Sequence, residues 1–208
     1  MRIRALTGAL MAAVATLALA GCGDSDNPTA GSTGQTGQPP ASSTAPADHN
    51  QAGHNQADIT FAQGMIPHHA QAIEMARMAT TRAESPQVQE LAQRIEGAQG
   101  PEIVTMTGWL QQWGAEVPST TMSGQGGMGH GAGGMMSPDQ MSQLGHASGA
   151  EFDQMFLQMM IQHHEGAIAM ARTEIDNGEN ADAIALAEQI IRAQQAEIQE
   201  MQGLLAQG

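Results

Sequence analysis

Two pairs of adjacent histidines, His68-His69 and His163-His164, sit in nearly the same setting, MIPHHAQAIEMAR from Met65 to Arg77 and MIQHHEGAIAMAR from Met160 to Arg172. On a helix, residues three, four and seven apart share a face, so Met65, His68, His69 and Met75 line up together, as do Met160, His163, His164 and Met170. Neighbouring helical residues diverge by about 100°, so one histidine of each pair can face a bundle axis while the other reaches a neighbouring helix. Imidazole serves copper and zinc alike, thioether sulfur is a soft donor that favours Cu(I), and Ca²⁺ or Mg²⁺ would want an oxygen cage that this pattern does not offer. The chemistry these residues suit is binding of a soft metal, copper before zinc or iron. A di-iron carboxylate centre would need Glu-x-x-His elements, and no Asp or Glu stands three residues before any histidine here.

The pairs belong to a longer duplication. Residues 58–110 recur at 153–205 with a constant offset of 95 and no gap, and 23 of the 53 aligned positions are identical. The second half of each repeat places Glu102 and Met106, or Glu197 and Met201, on a stripe that is otherwise apolar, with Gln99 and Gln194 beside them. An ionised carboxylate buried alone costs several kcal/mol, so Glu102 and Glu197 need partners, and the histidines are the obvious ones. Met159 extends the sulfur stripe at its edge in the second repeat. A methionine at helical spacing, taken singly, is ordinary core, and so is a lone buried histidine. Four imidazoles, two glutamates and several thioethers on inner faces are not explained by packing. Arg77 and Arg172 fall outside the stripe and are expected in surface ion pairs.

Helices must hold these side chains. The apolar period predicts helices over 58–81, 86–113, 151–176 and 180–206, with Asp58 as a first N-cap, Pro86 at a first helical position and Asn177-Gly178 as a stop. Pro67 predicts a kink or a later helix start, and Pro101 a bend in the second helix. Residues 58–113 and 138–208 thus form two helical hairpins, and together an all-α, antiparallel four-helix bundle in one domain, 58–208. Between them, 114–137 is a Gly, Met and His-rich loop without periodicity whose Met122, Met128, His130, Met135 and Met136 are further candidate donors.

The chain ends indicate the compartment. Arg2 and Arg4 precede a short apolar run and Leu19-Ala20-Gly21-Cys22, which reads as a lipoprotein signal over 1–21 with lipid on Cys22 and places the protein outside the cytoplasm, on the cell membrane. Residues 22–57 have the composition of a disordered tether. Past the signal the chain keeps five arginines, no lysine and all 21 carboxylates, so nucleic acid and anionic lipid surfaces are poor partners and cations are natural ones. Cys22 is the only cysteine, which excludes an intrachain disulfide or a thiolate cluster.

The M-x-x-H-H-x-x-A-I-x-M-A-R segments, with E-I-x-x-M at Glu102 to Met106 and Glu197 to Met201, resemble the domain of unknown function 305 family over essentially all of residues 58–206. That resemblance implies a ferritin-like helical bundle, secreted or lipid-anchored, with a role in copper binding and resistance. It implies Met65, His68, His69, Met75, Met160, His163, His164 and Met170 as ligands, and the long Met/Gly loop is a local addition. The expected function is binding of Cu(I), and of Cu(II) through the histidines, for sequestration, resistance or delivery to a copper-handling envelope protein, without catalysis. Glu102 and Glu197 would orient imidazoles from behind, and Met106, Met201 and Met159 would add donors. The alternatives are a ferritin-like oxidase or reductase using the same residues, and a metal-free envelope bundle in which the His-Glu contacts are structural.

Overall fold

Asn55, rather than Asp58, starts the first long helix, because the two residues cap each other. In the computed structural model, which describes residues 53–120 and 132–207, the Asn55 side chain accepts the Ala57 and Asp58 N–H groups while Asp58 accepts the Asn55 N–H. Helix α1 therefore spans Gln56–Arg82, and the segment expected as tether to residue 57 is already helical over its last residues. Pro67 lies inside α1 and neither starts nor ends it: the backbone bond it forgoes is outweighed by a buried face on both sides of it. Helix α2 spans Pro86–Gln112 with Pro86 in its first turn and Pro101 inside it. Helix α3, Pro138–His146, was not expected: Ser137 and Gln140 form a second reciprocal cap, and a 3-10 turn, Ala132–Gly134, precedes it. Helices α4, Gly149–Asn177, and α5, Ala181–Leu205, complete the set, so the long helices lie within two residues of their expected bounds. The signal segment and Cys22 lie outside the described residues. No described helix is long and apolar enough to cross a membrane.

Helix α1 packs along α2, α4 along α5, and α1 along α4, whereas α2 and α5 touch only sparsely. Asp58 of α1 accepts the Glu179 and Asn180 N–H groups in the α4–α5 turn. Its repeat equivalent, Asp153 of α4, accepts the Glu84 and Ser85 N–H groups in the α1–α2 turn. Each hairpin is thereby pinned at its turn by the other, which makes α1 and α4 antiparallel and relates the hairpins by a pseudo-twofold axis between them.

The core is split in two. One apolar cluster joins Ala72, Met75 and Ala79 of α1 to Leu91 and Ile95 of α2, Phe152, Phe156 and Met160 of α4 and Met201 of α5. The other joins Phe61, Met65 and Ile66 to Met106, Leu110, Ala167, Ala171 and Ile190, with Met170 packed against it. On every long helix polar residues stand between the two clusters: His68-His69, Gln99 and Glu102, His163-His164, Gln194 and Glu197. Each buried Leu, Ile, Phe or Met contributes roughly 1.5–3 kcal/mol, which is what holds so polar a layer out of water.

Candidate metal centre

His68 and His163 meet on the pseudo-twofold axis, with ring centroids 3.8 Å apart and planes tilted by 43°. All four histidines are buried, at 1 % exposure or less. The adjacent positions diverge as the helical geometry requires, so His69 and His164 turn to the second helix of their own repeat. There His69 Nε2 lies 2.7 Å from Glu102 Oε2, and His164 Nε2 lies 2.7 Å from Glu197 Oε2. A carboxylate accepts, so Nε2 carries a proton in both rings, and Nδ1 is the nitrogen left to offer a lone pair to a metal. His68 Nε2 donates to the Gly133 carbonyl at 2.7 Å, which fixes the same tautomer. The Nδ1 atoms of all four rings, and Nε2 of His163, are buried without a hydrogen-bond partner, as are both amide atoms of Gln99 and the Gln194 oxygen. Orphaned polar atoms are rare in a packed interior, and so many in one layer mark a place built for something else to bind.

Burial keeps the axial pair neutral. Desolvation, reinforced by the neighbouring His69 and His164, lowers the His68 pKa to about 3 against a partial opposing effect of its Gly133 bond. Desolvation and the charges of His68, His164 and His69 hold His163 well below the usual imidazole range. Both rings therefore stay neutral across ordinary pH, each with one N–H and one lone-pair nitrogen.

The expected methionines divide between the two sides of this layer. Met75, Met160 and Met201 belong to one cluster and Met65, Met106 and Met170 to the other, so each of these equivalent sets draws on both repeats. Met65, Met75, Met106, Met160 and Met201 are fully buried. Met170 is half-buried, with its sulfur close to Gly64 of α1 and to Gly133. Met159, at the position matching Gly64, is half-buried against the first cluster. Of the loop donors, Met136 is a core residue of that cluster, 4 % exposed, and Met135 is half-buried. Met122, Met128 and His130 lie outside the described residues. Among the described residues no three His, Cys, Asp or Glu side chains converge closely enough to hold a metal on their own. Arg77 pairs with Glu96 at 2.8 Å on the surface, and Arg172 is exposed.

Three further residues shape the centre: Gly133, Gln71 and Gly166. Gln71 donates to the Met136 carbonyl at 2.9 Å and accepts the Met136 N–H at 2.7 Å. Gly166, which occupies the same place in the second repeat, lies against Gly133 and Gly134, and any side chain there would collide with the Gly133 carbonyl. The departure of Gln71 from Gly166, inside a segment otherwise well matched between repeats, was the sequence signal for this contact.

No match to a curated protein was found. Among solved structures, a DUF305 protein of Streptomyces coelicolor is 32% identical, with a TM-score of 0.65 over 73% of this chain and 93% of that one. CopM in its Cu(I)-bound form is 34% identical, with a TM-score of 0.59 over 72% of this chain and 96% of that one. Its Cu(II)-bound form gives 37% identity and a TM-score of 0.62 over the same shares, and CopM has also been solved bound to silver. With residues 58–205 matching the domain of unknown function DUF305, this chain belongs to that family.

Proposed function

We propose that this protein binds copper in the polar layer at the middle of its bundle and holds or hands on the ion without transforming it. The observation that carries the reading is the set of buried imidazoles whose outer nitrogens are fixed by Glu102, Glu197 and Gly133 while every Nδ1 is left without a partner. An imidazole backed by a carboxylate is the usual arrangement of a metal ligand, because the partner sets the tautomer and raises the basicity of the donor atom. Methionine sulfurs flank the layer on both sides, and they supply soft donors where nitrogen and oxygen groups do not converge in threes. That mixture favours Cu(I) over zinc or a hard cation. Similarity to CopM, solved with Cu(I), Cu(II) and silver, supports the same choice. His68, His69, His163 and His164 with Met65, Met75, Met160 and Met170 are the proposed donors, backed by Glu102 and Glu197. The leader and Cys22 would tether the protein to the outer side of the cell membrane, where it would sequester copper or pass it to another envelope protein.

An anaerobic titration with Cu(I) against a chromophoric chelator tests this. Submicromolar binding that is lost when His68, His69, His163 and His164 are changed together to alanine is the expected result. Binding that survives those changes would move the site away from the bundle.

A further inference from the structure

The described segment Gly133–Met136 bridges the seam between α1 and α4 at the level of the histidines. It is tied to α1 twice, by His68 Nε2 donating to the Gly133 carbonyl and by the paired hydrogen bonds of Gln71 to the Met136 backbone. On α4 it is pressed against Gly166 and the Gln162 carbonyl, so closely that a Cβ at residue 134 would come within 2.5 Å of that oxygen. Gly133 and Gly134 adopt φ of 82° and 78°, a conformation that side chains disfavour, so the segment is shaped to lie flat in this place. None of this is shared by the two repeats. Gln71 and Gly166 are equivalent positions, and one grips the segment while the other makes room for it. The axial pair inherits the asymmetry: His68 is bonded to the segment, whereas His163 makes no hydrogen bond to it.

We propose that Gly133–Met136 is the cover through which metal reaches and leaves the buried histidine pair, and that Gln71 is the positioning residue that holds it shut. The proposal rests on the copper reading above and adds the route and the residue that controls it. Closing the cover fixes the His68 proton on Nε2, directs Nδ1 to the interior and shields the pair from water. Lifting it breaks the His68 and Gln71 bonds together, since both end on the same short stretch of backbone. The half-buried Met170 sulfur lies beside Gly133, where an entering soft ion would meet it first. The competing route is a groove of about 480 Å³ between α2 and α5, lined by Pro101, Glu102, Trp109 and Leu186 and by none of the four histidines.

The test uses two variants of the whole protein. Gln71→Met keeps the volume and removes both bonds to Met136, and Gly134→Ala displaces the segment from its own side while leaving the long helices unaltered. Two readouts are taken: the His68 tautomer in the metal-free protein, from long-range ¹H–¹⁵N correlation spectra, and the rate at which bound Cu(I) is lost to excess chelator without oxygen. The wild-type protein should show His68 protonated on Nε2, and each variant should lose that fixed tautomer and release Cu(I) at least about tenfold faster, with a smaller change in affinity. A tautomer unchanged in both variants overturns the positioning role, and a release rate unchanged in both moves the route to the α2–α5 groove and overturns the cover. Wild-type protein that binds no Cu(I) overturns the copper reading and the cover with it, while a wild-type protein that binds Cu(I) but releases it indifferently to both variants overturns the cover alone.

Discussion

Glu102 and Glu197 stand 2.7 Å from imidazoles that are themselves fully buried, yet their own side chains keep 11% and 17% exposure. The carboxylate thus stays in touch with water while its charge bears on the ring, which avoids most of the cost of burying an ion pair. The consequence belongs to the ring's other nitrogen: a negative acceptor at Nε2–H makes Nδ1 a better donor to a cation. Glu102→Gln keeps an oxygen able to accept from Nε2–H but removes the charge, so Cu(I) affinity should fall by about 10- to 100-fold while the fold persists. Glu197→Gln should do the same, and competition titration of each variant measures it; affinity equal to wild type in both would show that the carboxylates serve packing alone. These pairs were legible in the sequence, because a glutamate on an apolar stripe has to find a partner and the repeated histidines were the available ones. The Gly133 carbonyl leaves no side-chain signature of its own, and only the mismatch of Gln71 with Gly166 between the repeats marks where it docks.

Helix periodicity placed the four long elements, and the two connections that lock them depend on contacts far apart in sequence. Asp58 and Asp153 are identical residues in the repeats, and Asp58 reads locally as a helix start, which it supports from the third helical position. What periodicity could not show is that each also holds the turn of the other hairpin. The short helix α3 had a local signal in Ser137 and Gln140, a reciprocal cap masked by the glycine-rich stretch before it. Ser85 at the start of α2 makes no capping bond with its own side chain, so Asp153 is the only described side chain that accepts from the Glu84 and Ser85 N–H groups. Asp153→Ala should therefore cost about 2 kcal/mol, the loss of one well-made cap with partly buried donors left unmet. Because the contact joins the two hairpins, urea denaturation should remain a single transition at a lower midpoint; separate transitions for the hairpins would show that they are held together elsewhere.

The whole bundle carries opposite titrations at two levels along its length, and they predict where it is most stable without metal. At the middle layer His68 and His163 stay neutral when folded, His68 with a pKa of about 3, whereas an unfolded imidazole titrates near 6.5. Between those values the unfolded chain binds more protons than the folded one, so stability rises with pH until about 6.5. At the α4–α5 end Glu174 is 1% exposed, against the Gly178 backbone and the carboxylate of Asp58. Burial, then the adjacent Asp58, raises its pKa to about 8 from an ordinary 4.5. Asp58 goes the other way: its burial opposes ionisation, but the N–H groups of Asn55, Asn180 and Glu179 and a proton shared from Glu174 lower its pKa. For Glu174 the folded state binds more protons than the unfolded one from about pH 4.5 to 8, so stability falls as pH rises through that window. Two histidines outweigh one glutamate below pH 6.5, and the effect of the glutamate continues above it, which puts the maximum near pH 6.5. Glu174→Gln keeps the volume and has no charge to shed. The variant should keep the acid-side loss and show a flat profile from about pH 6.5 to 9, whereas the wild-type urea midpoint should decline across that interval. A wild-type midpoint that stays constant there would mean that Glu174 ionises in the folded protein at an ordinary pH, and that water reaches the joint between the two hairpins.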